Sequence, residues 1–404
     1  MVFAALADAV LVIKRGGIKM GMKENAFAYI DAHRSEMLKM WEELVSIDSG
    51  SDYKPGVDKV VARVADVLTA MGGKTRIVEH ESAGNAVVSE FCDCASKPFI
   101  VLTGHLDTVF SNPEETKARP FTIKDGRAYG PGALDMKGGV TLATFGLQAL
   151  LAEGFDKYAF KVVLAGDEET GHKSSDLAET MMAEFKGATA AFDFETGFMN
   201  DNVVVERKGF YRFSLETYGR SVHAGNEPQN GRNAIVELAH KAVDLDALTD
   251  WETGTTINVG TIEGGTVANA VPGYAKMVVD VRYLDPADFE KKKAQFKEVA
   301  DKVYIKDVTT KMTSLAGLEP MVRLDGSMKL FEVYKSVYEE NGFGNPEPIM
   351  VGGGSDATYT TKVGVPTVCA VGVKGGLNHT VDEFADVESL FMRAKVFIGT
   401  VLKL

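Results

Sequence analysis

Three times in the first half of this chain, a short run of β-branched and apolar residues ends abruptly in residues that carry charge or bind metal. Phe99-Ile-Val-Leu102 runs into Thr103-Gly-His105-Leu-Asp107, Phe160-Lys-Val-Val-Leu-Ala165 into Asp167-Glu168-Glu169, and Ala190-Ala-Phe-Asp-Phe194 into Glu195. Runs of this kind read as buried strands. Helix-patterned segments lie between them, one carrying Val140, Ala143, Leu147 and Leu151 just after Asp135, another near 175–185. Strand, charged loop and helix in alternation predict an α/β fold, a largely parallel sheet with flanking helices whose strand ends share one rim. Open sheets of this type place their chemistry at that rim.

A chain of 404 residues is longer than one core usually serves, so two domains are expected. The pattern changes after Arg207. Strand, helix, two strands and a helix follow, with Ala275, Met277, Val279, Val281 and Tyr283 on one face of the third strand. This predicts a small α+β insert over 207–318, with a discontinuous main domain over 24–206 and 319–404. Inside the insert, a helix over 231–248 is expected to present Ile235, Leu238, Ala239 and Ala242 on one face. Phe27, Ile30, Met37, Trp41 and Leu44 fit a single helical stripe. Residues 1–23 are read as an N-terminal extension. The apolar stretch from Val2 to Ile13 precedes its basic pair, the reverse of a secretory signal, and is too short to span a bilayer.

A net charge of −13 argues against nucleic acid or anionic membrane as partner. Cys92, Cys94 and Cys369 make no disulfide framework, so a reducing, cytoplasmic compartment is expected. Cys92 and Cys94 read as small buried side chains.

His105, Asp135, Glu169, Glu195 and His379 all fall at loop positions of the main domain. Two imidazoles and three carboxylates suit two Zn2+ ions with one carboxylate bridging, Co2+ or Mn2+ being substitutes. Such a pair, about 3.5–4 Å apart, lowers the pKa of a shared water and polarises a carbonyl. Glu168, beside a ligand and not needed as one, fits a general base that then acts as acid. Asp107 is placed to hold the second nitrogen of His105. Alone, His-x-Asp is a surface turn and three adjacent acids a solvated one; it is their conjunction that makes a site. His33, His80, His172 and His240 match no pattern and read as surface or packing residues.

At these residues the chain resembles the zinc metallopeptidase family of glutamate carboxypeptidase, acetylornithine deacetylase, succinyl-diaminopimelate desuccinylase and aminoacylase. The resemblance covers roughly 24–404. It rests on His105-Leu-Asp107, Tyr129-Gly-Pro-Gly with Asp135-Met-Lys-Gly-Gly139, Glu168-Glu169, Phe194-Glu195 and His379. It also rests on Ser221-Val-His223-Ala-Gly225, Gly265-Thr-Val-Ala-Asn269, Asp280-Val-Arg282-Tyr283 and Gly352-Gly-Gly-Ser-Asp356. The Tyr-Gly-Pro-Gly form looks closest to glutamate carboxypeptidase. The resemblance implies a zinc-exopeptidase-like catalytic domain and a ferredoxin-like lid or dimerisation insert, hence a homodimer. It implies that Asp135 bridges two zinc ions, one also held by His105 and Glu195, the other by Glu169 and His379. Asp107 would orient His105, Glu168 would be the base, and His223 would steady the oxyanion, often in the partner's site. Asn269, Arg282, Gly353 and Gly354 would grip a substrate carboxylate. The residues themselves offer Arg282 a competing role, because it shares a strand face with Asp280 and an in-sheet salt bridge would occupy it.

One departure stands out. Glutamate carboxypeptidases carry Gly-Arg-Pro near the end of the insert, where this chain has Gly317-Leu318-Glu319-Pro320. An arginine–carboxylate contact is bidentate and hard to replace; Arg323 and Lys208 are the candidate substitutes. The expected function is a dinuclear zinc hydrolase that cleaves an amide bond next to a free carboxylate in a small peptide. An N-acyl-amino-acid deacylase is the alternative. A non-catalytic binder, or a purely structural dimer module, would have lost a ligand or the base, and none is missing.

Overall fold

The computed structural model describes residues 21–404, so the extension over 1–20 lies outside the described residues. Met22 and Lys23 already belong to the first helix, Met22–Ala32. The single stripe expected there is two helices, because the chain breaks at His33 before Arg34–Val45. The valine stripe of Lys54–Ala70 is buried, as its period predicts.

The central sheet has eight strands, in the order Lys74–Val78, Ala86–Phe91, Ala159–Ala165, Phe99–His105, Ala190–Asp193, Thr367–Cys369, Val203–Arg207 and Pro348–Val351. Its middle, from Ala159–Ala165 to Thr367–Cys369, is parallel. The flanks are mixed: the first two strands and Val203–Arg207 pair antiparallel to their inner neighbours. All seven residues of Phe99–His105 are buried. Helices cover both faces, which is why these strands read as continuous apolar runs. Gly138–Ala152 and Val387–Lys403 share one apolar cluster, while Leu177–Phe185 packs into another with Val101 and Val163. Because the middle strands run one way, the loops bearing Asp107, Glu168 and Glu195 leave the same edge.

A second sheet joins chain segments far apart in sequence. Its order is Thr122–Lys124, Arg127–Tyr129, Phe384–Asp386, Lys374–Gly376 and Gly197–Phe198. The turn between Lys374–Gly376 and Phe384–Asp386 carries His379. Strands of two or three residues are too short to show an alternating pattern in sequence.

The smaller unit is a four-stranded antiparallel sheet in the order Thr256–Gly264, Tyr274–Tyr283, Gly209–Tyr218 and Thr309–Leu318. With helices Ala234–Asp246 and Pro286–Asp301 between strands, this is the ferredoxin-like arrangement, and it has its own apolar cluster around Phe213, Met277, Val279 and Phe296. Tyr274–Tyr283 alternates as its pattern requires. Patterning does not reveal the last strand, Thr309–Leu318, which is polar and mostly exposed. The face expected for Ala234–Asp246 is also displaced. Ala239 is exposed, and the buried residues include Glu237 and Lys241. Those two form a buried ion pair at 3.1 Å, with Lys241 capping the Val299 and Ala300 carbonyls, so charge sits where apolar periodicity would not place it.

The chain passes between the two units at two neighbouring points. Arg207 ends a strand of the central sheet and Gly209 begins one of the smaller sheet. The return after Leu318 runs antiparallel beside it, Arg207 N donating to Met321 O at 3.0 Å.

Candidate metal centre

His105 is fully buried at the end of its strand. Its Nε2 lies 3.2 Å from Asp135 Oδ1 and 3.7 Å from Glu195 Oε1. Asp135 sits in an irregular turn, Ala133–Lys137, ahead of Gly138–Ala152. Its other oxygen, Oδ2, lies 3.1 Å from His379 Nε2, which is in turn 3.4 Å from Glu169 Oε2. Asp135 is therefore shared between the two histidines. Gly139 permits this: a Cβ there would lie 2.0 Å from the Phe194 carbonyl, so the helix start sits directly on the strand end that carries Glu195. The ligand atoms of His105, Asp135 and Glu169 all fall within 4.8 Å of one another, as do those of His105, Glu168 and Glu195. The five expected ligands and Glu168 converge, and Glu168 and Glu169 face different neighbours.

The cluster is short of positive charge. Burial pushes the Glu169 carboxyl up to about 8 and the Glu195 carboxyl to about 7. Glu168 is also held well above the usual carboxylate range, chiefly by desolvation. Burial would raise Asp135 too, but hydrogen bonds from His105 and His379 outweigh it and keep the carboxyl low. His379 rises to about 9, first through its bond to Asp135. Glu169 Oε1 is buried with no hydrogen-bond partner. An orphaned oxygen among crowded acids and two imidazoles is what a divalent cation would satisfy, so the residues fit a dinuclear metal site.

Asp107 does more than the part expected of it. His105 Nδ1 is closer to the Asp107 backbone oxygen, at 3.1 Å, than to the carboxylate, at 3.5 Å. The carboxylate mainly accepts from Glu168 N and Glu169 N, at 3.2 Å each, and from Ser51 Oγ at 2.6 Å. It fixes the acid loop as well as the histidine.

The glycine loop is anchored by a residue that sequence reasoning missed. Buried Arg207 donates from Nη1 to the Gly353 and Gly354 carbonyls at 3.1 Å each. Peptide planarity then turns the Gly354 and Ser355 N–H groups the other way. Arg282 pairs with Asp280 at 2.6 Å and also reaches Gly352 O at 3.1 Å. His223 and Asn269 adjoin each other on the smaller unit, Ala224 N donating to Asn269 O, but no hydrogen bond or ion pair among the described residues joins them to the cluster. The two substitutes for the missing arginine are engaged: Arg323 pairs with Glu206 at 2.9 Å, and Lys208 donates to Gly254 O at 2.5 Å. Ser51, Asn378 and Glu383 were also missed. Glu383 accepts from Leu134 N at 3.0 Å, and Asn378 Nδ2 is 3.4 Å from Asp135 Oδ2; each is a single polar residue without a local pattern. His172 is neither a surface residue nor a simple packing one, being buried between two aspartates. Cys92 is exposed, contrary to expectation, while Cys94 is partly and Cys369 fully buried.

Residues 101–403 match the model of peptidase family M20/M25/M40. The chain belongs to this family. Among curated relatives of the M20 chain, carboxypeptidase G2 of Pseudomonas sp. (strain RS-16) is 26% identical over 373 residues, covering 90% of this chain and 88% of that protein. Acetylornithine deacetylase of Myxococcus xanthus is 28% identical over 367 residues, covering 86% and 92%. Among solved structures, an aminopeptidase of Bacillus cereus superposes with a TM-score of 0.75 at 23% identity, covering 91% of this chain and 98% of the other. An M20 family metallo-carboxypeptidase of Sulfolobus solfataricus gives 0.72 at 19% identity, covering 91% and 98%. The M20 chain is thus a hydrolase of mixed α/β fold with the smaller unit inserted. Among its described residues, no helix is long and apolar enough to cross a membrane.

Proposed function

We propose that this hydrolase is a dinuclear zinc exopeptidase of the carboxypeptidase type, cleaving an amide bond next to a free carboxylate. The observation that carries the reading is Asp135 lying between two histidines, each beside a further carboxylate, with Glu168 left over. His105 and Glu195 would hold one ion, Glu169 and His379 the other, and Asp135 both. When bound, the ions supply Lewis-acid polarisation of the scissile carbonyl and a more acidic water. Glu168 takes a proton from the attacking water and delivers it to the leaving amine, a task suited to a buried carboxyl held above its usual range. Asp107 keeps Glu168 and Glu169 in register. The Gly354 and Ser355 N–H groups, with Asn269 and Arg282, receive the substrate's carboxylate, and His223 steadies the developing oxyanion once the smaller unit approaches.

No hydrogen bond or ion pair among the described residues joins His223 to the cluster of its own chain, which supports a homodimer in which the partner's insert completes each site. The exposed Ile262, Val267 and Val243 of that insert are apolar surface for such a contact. The unpaired cysteines support a reducing compartment.

A second reading, an N-acyl-amino-acid deacylase, is favoured by the engaged state of Arg323 and Lys208, which leaves neither of these two candidates free to replace the missing arginine. The test is metal content together with a panel of peptides and N-acyl amino acids ending in glutamate, aspartate, neutral or basic residues. Two zinc ions per chain are expected in the parent and in Glu168→Ala, with turnover falling by roughly 10²–10⁴-fold in the variant. Turnover of the chelated parent without added metal would sink the reading.

A further inference from the structure

His172 takes no part in the chemistry described so far, yet it is held more firmly than any other histidine of the chain outside the metal cluster. Its backbone is left-handed, with φ at 54°, a conformation that only a few residue types besides glycine adopt readily. Its side chain is 3% exposed. Nδ1 lies 2.7 Å from Asp167 Oδ1 and Nε2 lies 2.7 Å from Asp356 Oδ1. Both contacts have the length of charge-assisted hydrogen bonds. Burial alone would favour the neutral ring, but the two flanking carboxylates outweigh it and raise the imidazolium to about 11. Tyr359 covers the ring, its centroid 5.6 Å away.

The two aspartates belong to different walls of the site. Asp167 begins the loop that carries Glu168 and Glu169, and its other oxygen accepts from Ser175 Oγ at 2.7 Å. Asp356 closes the glycine loop, and its second oxygen is buried with no hydrogen-bond partner. His172 is therefore the side-chain link between the loop that would hold the base and the loop that would hold the substrate's carboxylate.

We infer that His172 is a positioning residue that sets the spacing between the Glu168–Glu169 loop and the Gly353–Ser355 loop, and through it the distance from the substrate's free carboxylate to the scissile bond. This rests on the proposed function. The two ends of the link do not depend on it equally. The acid loop is separately held by Asp107, which accepts from Glu168 N and Glu169 N. The glycine loop has Arg207 on its carbonyls and Ser355 Oγ on Asp193 at 2.9 Å; beyond Ser355, the Asp356 side chain turns to His172. Loss of His172 should therefore loosen substrate binding more than it disturbs the base.

The test uses the full-length, metal-loaded protein with His172→Asn, Asp356→Asn and the double variant. Asparagine tolerates left-handed backbone but is too short to reach Asp356 from position 172. His172→Gly, which removes the backbone strain altogether, takes its place if the first variant does not fold. With a substrate bearing a free carboxylate, KM should rise about tenfold while kcat stays within about threefold. The double variant should be no worse than either single, since one link is being cut twice. Amide hydrogen exchange should quicken in both 167–172 and 352–356, with zinc content unchanged. Folded variants with parental exchange in both loops would overturn the inference, as would equal losses in kcat and KM or strictly additive effects. A parent that turns over no amide would sink the proposed function instead, and the exchange data would still judge the link.

Discussion

At the scale of single residues, the site is built by groups that do not touch a substrate. Ser51 donates to Asp107, Asp107 holds the acid loop and His105, and only then come the donors themselves. Removing one such outer bond costs about 10–100-fold in metal affinity or activity. Ser51→Ala should therefore weaken metal retention by roughly tenfold, read by competition with a chromogenic chelator, while the fold is kept. Three of the five donors were legible because they follow an apolar run: His105, Glu169 and Glu195 announce themselves by where the hydrophobic pattern stops. Ser51, Arg207, His172 and Glu383 were not. Their partners lie 56, 146, 184 and 249 residues away respectively, and no local period encodes such a contact.

At the scale of elements, position is set by close approach. Gly139→Ala would drive a methyl group into the Phe194 carbonyl, 2.0 Å away. Two backbones must separate to admit it, so a loss of about 1–3 kcal/mol is expected from denaturant unfolding, with metal affinity falling as Asp135 and Glu195 part. On the opposite face, Glu184 of Leu177–Phe185 ties two strands together, meeting Lys161 at 2.8 Å and Arg76 at 2.6 Å. Burial would raise its carboxyl, but Lys161 and Arg76 outweigh it and hold it below the usual value. A depressed folded pKa means stability that is present above the unfolded value and is lost as pH falls through the folded one. Glu184→Gln should therefore cost about 1 kcal/mol at neutral pH. The difference should shrink below about pH 4.3 and vanish in stronger acid, as urea midpoints across that range would report. Strong periods made Lys54–Ala70, Tyr274–Tyr283 and Val387–Lys403 readable. Thr309–Leu318 and the short strands around His379 were not, because a half-exposed or three-residue strand has no apolar face to alternate.

At the scale of the whole molecule, each unit has its own apolar cluster, and the chain passes between them at neighbouring points. Excising residues 209–318 and closing the gap with a few glycines should leave a folded body with its helical signal and two metal ions. Turnover should be lost, because His223, Asn269 and Arg282 leave with the insert. Circular dichroism, metal analysis and activity on one sample decide it; loss of the fold would show that the two clusters are one cooperative unit.

The paired crossing at Arg207 and Met321 has a mechanical consequence. A body hung from a single linker can swivel and swing in any direction. Hung from two strands bonded side by side, it keeps one soft direction, a tilt across the ribbon, while twisting about the strand axis would break the hydrogen bond between them. The insert is in effect a door on a strap hinge. If His223 is to reach a metal cluster, the partner's in the proposed homodimer, the insert that carries it would travel along one arc set by that crossing.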